Sequence, residues 1–554
     1  MSGQDKGTCK PMQVSALARF GRYLLGVLPA ILILAFGVVT EIDLPGIYLD
    51  GANPDFYVVP ILNPDVQKLT GWTLPGNLIA DRFPVLSQVY HGTLPVYVGL
   101  PFYALFGTGA VGIHATHGVF AGIALISFYV LLISFRLETW LAGLIAAALA
   151  LDSAFVFSFR NQFYVTVFPI AFVFLSAAAV NWAARTTETS RAARRLILSG
   201  ALTGIACFGY FVHLFLGAVI FIFLIAPSAF PLSRSRRAAF WLIGLVVGLL
   251  PFIIGFGLAA WELGSVIAAA KFFLHRIASL QIGRPSEGLA DRLRWAVDLL
   301  NWAISNVGNE SMMFGRFLPR QGENWRLLIL LGLPLVTLLI TEILGRGDRL
   351  LRLAAGFVLA NFIMCLCFGT RVWVQHTAPM VPVFYLGLAG ALAVIVGAGS
   401  VVLPRAFAIA SIGVLLYLNA AGQSAVFAEL RRTGGVGFMS DAINRFAEDA
   451  IPRASESVYM LPEIGLQQQT LMITRGRATL ISHEDVGLLH RRFCEGKDVA
   501  IAYLPKADDD RARRWIKDFN EGEPEQTVYS ERTGREVIGV LRWLRSAHRA
   551  LNCP

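Results

Sequence analysis

Residues 40–57 read "TEIDLPGIYLDGANPDFY", and residues 23–39, directly before them, read "YLLGVLPAILILAFGVV". The apolar stretch is long enough for a membrane helix, because a helix rises about 1.5 Å per residue and the hydrocarbon core is about 30 Å thick. At the mouth of that helix four carboxylates, Glu41, Asp43, Asp50 and Asp55, crowd into fifteen residues. Acids gathered beside hydrocarbon need a reason, and the rest of the chain must supply it.

The 554 residues are 55% hydrophobic and 15% charged, with a mean hydropathy of +0.60. A soluble domain this apolar would precipitate, so the composition describes a polytopic α-helical membrane protein. Apolar runs fall at 22–39, 111–135, 139–157, 163–184, 196–209, 211–230, 238–256, 327–343, 353–369, 377–399 and 406–422. The first run lacks a small-residue cleavage site and reads as a retained helix rather than a signal peptide. Lys6, Lys10, Arg19 and Arg22 precede it, which puts the N-terminus in the cytoplasm by the positive-inside rule. "RTTETSRAARR" (185–195), "SRSRR" (233–237), "GRGDRLLR" (345–352) and Arg405 fall inside on the same rule. That parity predicts eleven crossings and an outward C-terminus. The net charge of +10 is accounted for by these loops, so no nucleic-acid partner is expected. Six cysteines form no CxxC or zinc spacing.

Three extramembrane pieces are expected on the outer side. The first loop, 40–110, holds the acids and then "FPVLSQVYHGTLPVYVGLPFYALFG", whose Pro84, Pro95 and Pro101 suit helices lying in the interface. The second, 257–326, contains "LADRLRWAVDLLNWAISNV". It places Leu289, Leu293, Ala296, Val297, Leu300 and Ile304 on one helical face, with Trp295 and Trp302 seven residues apart. The third is a polar tail, 430–554, alternating helical stretches with strand-like ones ("ESVYML", "DVAIAYLP", "REVIGVLRWL"), which reads as a small α/β extracytoplasmic domain following a membrane domain of residues 1–429. Cys494 and Cys553 are its only cysteines, and they are expected to pair where disulfides persist.

Asp50 and Asp55 lie in "YLDGANPDFY", a Gly-, Pro- and aromatic-rich loop able to hold a carboxylate against apolar surface. Such a group is placed to take a proton from a hydroxyl arriving from outside; an Asx-turn at "DGANPD" is the competing reading. Glu41 and Asp43 equally suit a helix end at the water boundary.

The order of motifs resembles the GT-C superfamily of membrane glycosyltransferases, in its protein mannosyltransferase-like and lipid A aminoarabinose transferase-like branch. The acidic "YLDGANPDFY" is followed by "YHGTLPVYVGLPFYALFG", then by the inward run "GIHATHGVFAGIALISFYVLLISF". A helix pair around the short loop carrying Arg160 and the Gly-rich "LILSGALTGIACFGYFVHLF" complete the similarity, in detail over about 20–230. The resemblance implies sugar transfer from a polyprenyl-phosphate-linked donor to a lipid, glycan or protein acceptor, with Asp50 as general base and Asp55 as the alternate register. Two departures stand out: Gly51 follows the first Asp where the family often has a further acid, and "RNQ" (160–162) occupies the short second outer loop, with Asp152 the nearest carboxylate.

A donor phosphate needs cations near the bilayer. Arg160, Arg371 with His376 in "GTRVWVQHTAPMVPV", and Arg276, Arg292 and Arg294 are candidates, against a reading as snorkelling side chains. His91 matches the family's histidine near a Pro-Tyr stretch and is either a substrate contact or a helix cap. Glu41, Asp43 and Asp152 join the substrate-binding candidates. His114 and His117 share a helix face without a third ligand, so no metal site is assigned; no cofactor is indicated with certainty, and a divalent metal stays possible. A transporter or flippase of a lipid-linked saccharide would need ionisable groups near the membrane midplane, where the runs are nearly clean. A non-catalytic scaffold would leave the first-loop acids without a role. The expected location is a bacterial inner membrane, with the site on the periplasmic side.

Overall fold

The computed structural model describes residues 16–66, 74–226, 230–279, 288–319, 322–397, 402–462, 465–481, 483–505, 510–546 and Cys553. Lys6 and Lys10, two of the cations behind the inside assignment of the N-terminus, lie outside them. The chain is mostly helical and multi-pass: among the described residues seven helices are long and apolar enough to cross a membrane. They are Gly21–Val39, Ala110–Ser134, Tyr164–Ala184, Glu323–Ile343, Arg349–Arg371, Val374–Gly397 and Val402–Thr433. A pair bent by 51°, Arg234–Gly248 with Leu250–Glu262, makes an eighth if taken as one broken span.

The eleven apolar runs are helical over most of their described residues, yet among those residues length and composition give seven or eight spans rather than the expected eleven. Thr139–Ala150 and His213–Ile225 have 12 and 13 residues, about 20 Å of helix and short of the hydrocarbon thickness. Thr189–Gly209 opens with Arg191, Arg194 and Arg195, which dilute its apolar character.

Exposed apolar side chains mark the bundle's outer surface. On the first helix Leu25, Leu28, Leu32, Phe36 and Val39 form an outward stripe, while Val27, Ala30 and Leu34 are buried. Small residues let helices approach where no water drives association. Gly200 and Gly204 on Thr189–Gly209 meet the backbone of Arg234–Gly248, which answers with Gly244 and Gly248. A methyl group at any of the four would collide with main-chain atoms.

The helix Leu289–Ser305 forms where the sequence placed it. Its expected apolar face splits: Leu289, Leu293 and Val297 are exposed, whereas Ala296 and Ile304 are buried. Trp295 and Trp302 meet edge to face at 5.5 Å, and the Trp295 indole donates to the Val372 carbonyl at 2.9 Å. The helix therefore leans on the bundle and turns a second apolar edge outward.

The 32-residue helix Val402–Thr433 runs past any bilayer thickness into the tail, so the expected boundary at 429/430 falls inside it. Beyond it stands a five-stranded sheet in the order Thr479–Ile481, Ser457–Met460, Asp498–Tyr503, Glu536–Trp543, Glu525–Ser530. Its first three strands are parallel and its last two are antiparallel to their neighbours. In "DVAIAY" the alternation sends Val499 and Ile501 to one face and Ala500 and Ala502 to the other. The first face packs Leu489, Phe493, Trp515 and Phe519. The second shares one core with the first outer loop, including Ile47, Phe56, Tyr57 and Val58. Cys494 and Cys553 are bonded, with Cα atoms 5.4 Å apart. The tail is thus the surface on which the acidic loop is mounted.

Candidate active site

The loop after the first helix is fixed at both ends. At its start the helix leaves orphan carbonyls, and Arg160 gathers them: its guanidinium donates to Gly37 (3.3 Å), Thr40 (2.7 Å), Glu41 and Leu44 (2.5 Å). Phe157 and Phe427 flank the same guanidinium. Burial pushes Arg160 down to about 9, with Asp43 and Glu41 acting against that shift. Glu41 pairs with Arg431 at 2.7 Å, and Asp43 is exposed. Further along, the Gly46 N–H donates to Met439 and the Ile47 N–H to the Asn444 side chain. Arg160, Glu41 and Asp43 therefore sit together as an anchor at the helix end.

Held this way, the loop makes two short 3₁₀ turns, Leu49–Gly51 and Asp55–Tyr57, which present the two candidate bases differently. Asp55 is fully buried, and its carboxylate accepts from the Tyr103 hydroxyl and from His117 Nε2 at 3.1 Å. Tyr164 stacks on His117 at 3.7 Å and donates to the Asn53 carbonyl at 3.3 Å. His114, the other member of the suspected metal pair, donates instead to the Ile42 carbonyl at 2.7 Å. Among the described residues no three His, Cys, Asp or Glu side chains gather in a metal-binding cluster.

Asp50 is half-buried, and among the described residues its carboxylate makes one hydrogen bond, from Asn53 Nδ2 at 3.2 Å. Loss of water around it raises its carboxyl to about 6, and the Asn53 bond only partly offsets this. Tyr90, Tyr164 and Tyr210 lie within electrostatic reach. Tyr90 is pushed up to about 12, by burial first and by Asp50 second, while Arg276 acts on it in the opposite sense. His91 stacks on Tyr210 with ring centres 5.7 Å apart, and the Tyr210 hydroxyl meets His376 Nε2 at 3.1 Å. Burial holds His91 down at about 4, so this imidazole is neutral at ordinary pH, with Nδ1 donating to the Gly92 carbonyl. Asp50, His91 and His376 thus converge through aromatic side chains that sequence reading did not single out. Asn53, Tyr90 and Tyr210 fell within the quoted motifs and Tyr164 just after "RNQ", but nothing in the sequence marked them from their neighbours.

Two candidates lie elsewhere or stand alone. Asp152 is buried in a closed network with Arg326 (2.5 Å), Tyr385 (2.8 Å) and the Ala154 N–H (2.7 Å). Asn419 bridges the Arg326 and Tyr385 side chains. Arg371 is half-buried in the turn Gly369–Arg371, just before the His376 segment.

The fold of the whole chain, a helical bundle with an acidic loop and a mixed-sheet tail, is shared with solved structures. Among solved structures the chain is similar to ArnT from Cupriavidus metallidurans. The apo form matches at 13% identity and a TM-score of 0.57, covering 96% of this chain and 99% of that one. The form bound to undecaprenyl phosphate matches at 13% and 0.56, covering 94% and 98%. The Archaeoglobus fulgidus oligosaccharyltransferase complexed with zinc and sulfate is similar at 12% and 0.50, over 93% of this chain and 72% of that one. At these identities the likeness is one of fold. No protein-family model and no curated protein sequence matches the chain.

Proposed function

We propose that the chain is a membrane glycosyltransferase that moves a sugar from a polyprenyl-phosphate-linked donor to a lipid, glycan or protein acceptor. The reaction takes place on the outer, periplasmic face of a bacterial inner membrane. The observation that carries this reading is the Asp50 carboxyl, half-buried, lightly bonded and raised to about 6. A base works best when its pKa lies near the working pH. The fold shared with ArnT, one form of which is bound to undecaprenyl phosphate, supports the donor class.

In this reading Asp50 removes the proton from an acceptor hydroxyl as its oxygen attacks the anomeric carbon. The bond to the polyprenyl phosphate breaks from the opposite side, which inverts the configuration. Asp55 takes the supporting role, since Tyr103 and His117 both bond its Oδ2 and hold the carboxylate in place. The His91–Tyr210 stack, with His376 at the Tyr210 hydroxyl, offers a face for a sugar ring. Arg371 and Arg276 are the cations assigned to the leaving phosphate, because both Nη atoms of Arg160 are engaged by backbone carbonyls. Residues 1–429 form the membrane catalytic part, and 430–554 form an outer part that holds the acidic loop.

The test is transfer of labelled sugar from polyprenyl-phosphate donors in proteoliposomes. Time-dependent transfer with inversion is expected. Transport of the intact lipid-linked sugar without transfer would replace the reading with a flippase.

A further inference from the structure

Away from Asp50, a cavity of about 540 Å³ opens where the first outer loop meets the tail. Leu62, Asn63, Leu105 and Phe106 line it from the loop side, and Arg475 and Arg477 from the tail. Among the described residues no carboxylate lines it. Both arginines are exposed, and among the described residues neither side chain makes a hydrogen bond or an ion pair. Their position is built in. The Thr108 hydroxyl donates to the Met472 carbonyl at 2.6 Å, tying the end of the helix Leu94–Phe106 to the end of the helix Leu466–Ile473. The chain then reverses through Arg475 and Gly476, both at positive φ.

The rim beside these charges is apolar and uncovered. On Leu94–Phe106 the exposed positions are Tyr97, Pro101, Ala104, Leu105 and Phe106, a stripe at helical spacing, and Leu105 is 74% exposed. Leu62 extends the ledge across the cavity mouth. A helix with such a stripe lies at the boundary between headgroups and acyl chains. Guanidinium pairs recognise phosphate through planar, charge-assisted hydrogen bonds.

We propose that this cavity is a binding site for the phosphate headgroup of an anionic phospholipid, held by Arg475 and Arg477 with the acyl chains along Leu62, Leu105 and Phe106. A water-soluble anion would use the two charges and leave the ledge bare; a lipid uses both. The site is separate from Asp50 and stands whether or not the transferase reading holds. Its role is to seat the joint between first loop and tail on the membrane surface.

The experiment uses the full chain in phosphatidylcholine nanodiscs carrying a trace of photoactivatable phosphatidylglycerol, with labelled peptides mapped by mass spectrometry. Labelling is expected on 59–63, 103–108 and 474–477. It should fall roughly ten- to thirty-fold in the double variant R475Q/R477Q, as about 1 kcal/mol per cation near an anionic surface implies, and return in R475K/R477K. A photoactivatable phosphatidylcholine should label these peptides weakly and equally in all forms. L105S, which touches only the ledge, should also reduce phosphatidylglycerol labelling. Equal labelling by the two lipids, or undiminished labelling in R475Q/R477Q, would overturn the proposal. Displacement by inorganic phosphate with L105S unaffected would make this a free-anion site and overturn the lipid assignment.

Discussion

Asp152 and Asp50 are carboxylates in two regions with opposite surroundings. Asp152 lies inside the bundle with no exposed surface, yet Arg326, Tyr385 and the Ala154 N–H close its lone pairs. Asp50 sits at the bundle's edge, less buried, and among the described residues has a hydrogen bond from Asn53 alone. The more buried acid is the better satisfied one. Poise for chemistry here comes from loss of water without replacement partners, which raises Asp50 to about 6. Depth alone does not separate a structural carboxylate from a reactive one; the partner list does.

The largest effect should fall on the sparsely partnered acid. Asp50→Asn keeps the shape and removes the basicity, so transfer should drop by roughly 10²–10⁴-fold, the usual worth of a general base. Membrane insertion and yield should survive. Asp55→Asn is the control: it disturbs the Tyr103 and His117 bonds, so it should lose stability along with activity. Wild-type transfer rates in Asp50→Asn would break the comparison at its first step.

The converse holds for the closed network. Asp152→Ala strands Arg326 without its counter-charge in the bundle, and breaking a buried pair costs about 3–5 kcal/mol. The variant should unfold at markedly lower temperature in detergent, while the apparent donor affinity of whatever remains folded stays near normal. A variant of wild-type stability with weakened donor use would place Asp152 at the substrate instead.

How much of this was legible beforehand follows the same divide between local and distant. The long apolar runs, the acidic loop and the Trp295/Trp302 helix carry periodicity along a few turns, and they appear where the sequence put them. The strand-like "ESVYML", "DVAIAYLP" and "REVIGVLRWL" became Ser457–Met460, Asp498–Tyr503 and Glu536–Trp543. The three-residue strand Thr479–Ile481 and the largely exposed Glu525–Ser530 carried no alternation to detect. Partnerships across long sequence distances left no local trace. Arg160 reaches carbonyls 116 to 123 residues away, and Arg326 meets Asp152 across 174. Arg160 looked like a phosphate ligand because an outer-loop arginine and a helix-end staple have the same sequence signature.

That ambiguity yields the next test, on cations rather than acids. Arg371→Gln or Arg276→Gln should raise the apparent KM for donor by roughly ten-fold or more, the scale of a lost bond to a charged group. Arg160→Gln should instead lower thermal stability, because four carbonyls at the first helix end lose their donor. An Arg160→Gln variant with normal stability and weakened donor affinity would exchange these assignments.

The smallest effect is the most specific, because it follows from the pKa difference itself. Catalysis needs ionised Asp50, so the rate should be about half-maximal near pH 6 and fall close to ten-fold per unit below it. A limb near pH 4 would mean that Asp50 is an ordinary solvated carboxylate. Stability should run the other way. The folded carboxyl titrates near 6 and an unfolded one near 3.8, so the fold holds more protons than the unfolded chain between those values. Stability linked to Asp50 is therefore fully present below about 3.8 and lost as pH rises through about 6. Asp50→Asn removes the poorly solvated charge, so the variant should melt above wild type at pH 7–8, with the difference vanishing below about pH 4. A dead enzyme that is more stable at neutral pH than its parent is what a poised base predicts. A structural carboxylate such as Asp152 predicts the reverse: an Asp50→Asn variant melting below wild type across this range would put Asp50 on the structural side of the comparison, and equal melting curves would make it an ordinary solvated carboxylate.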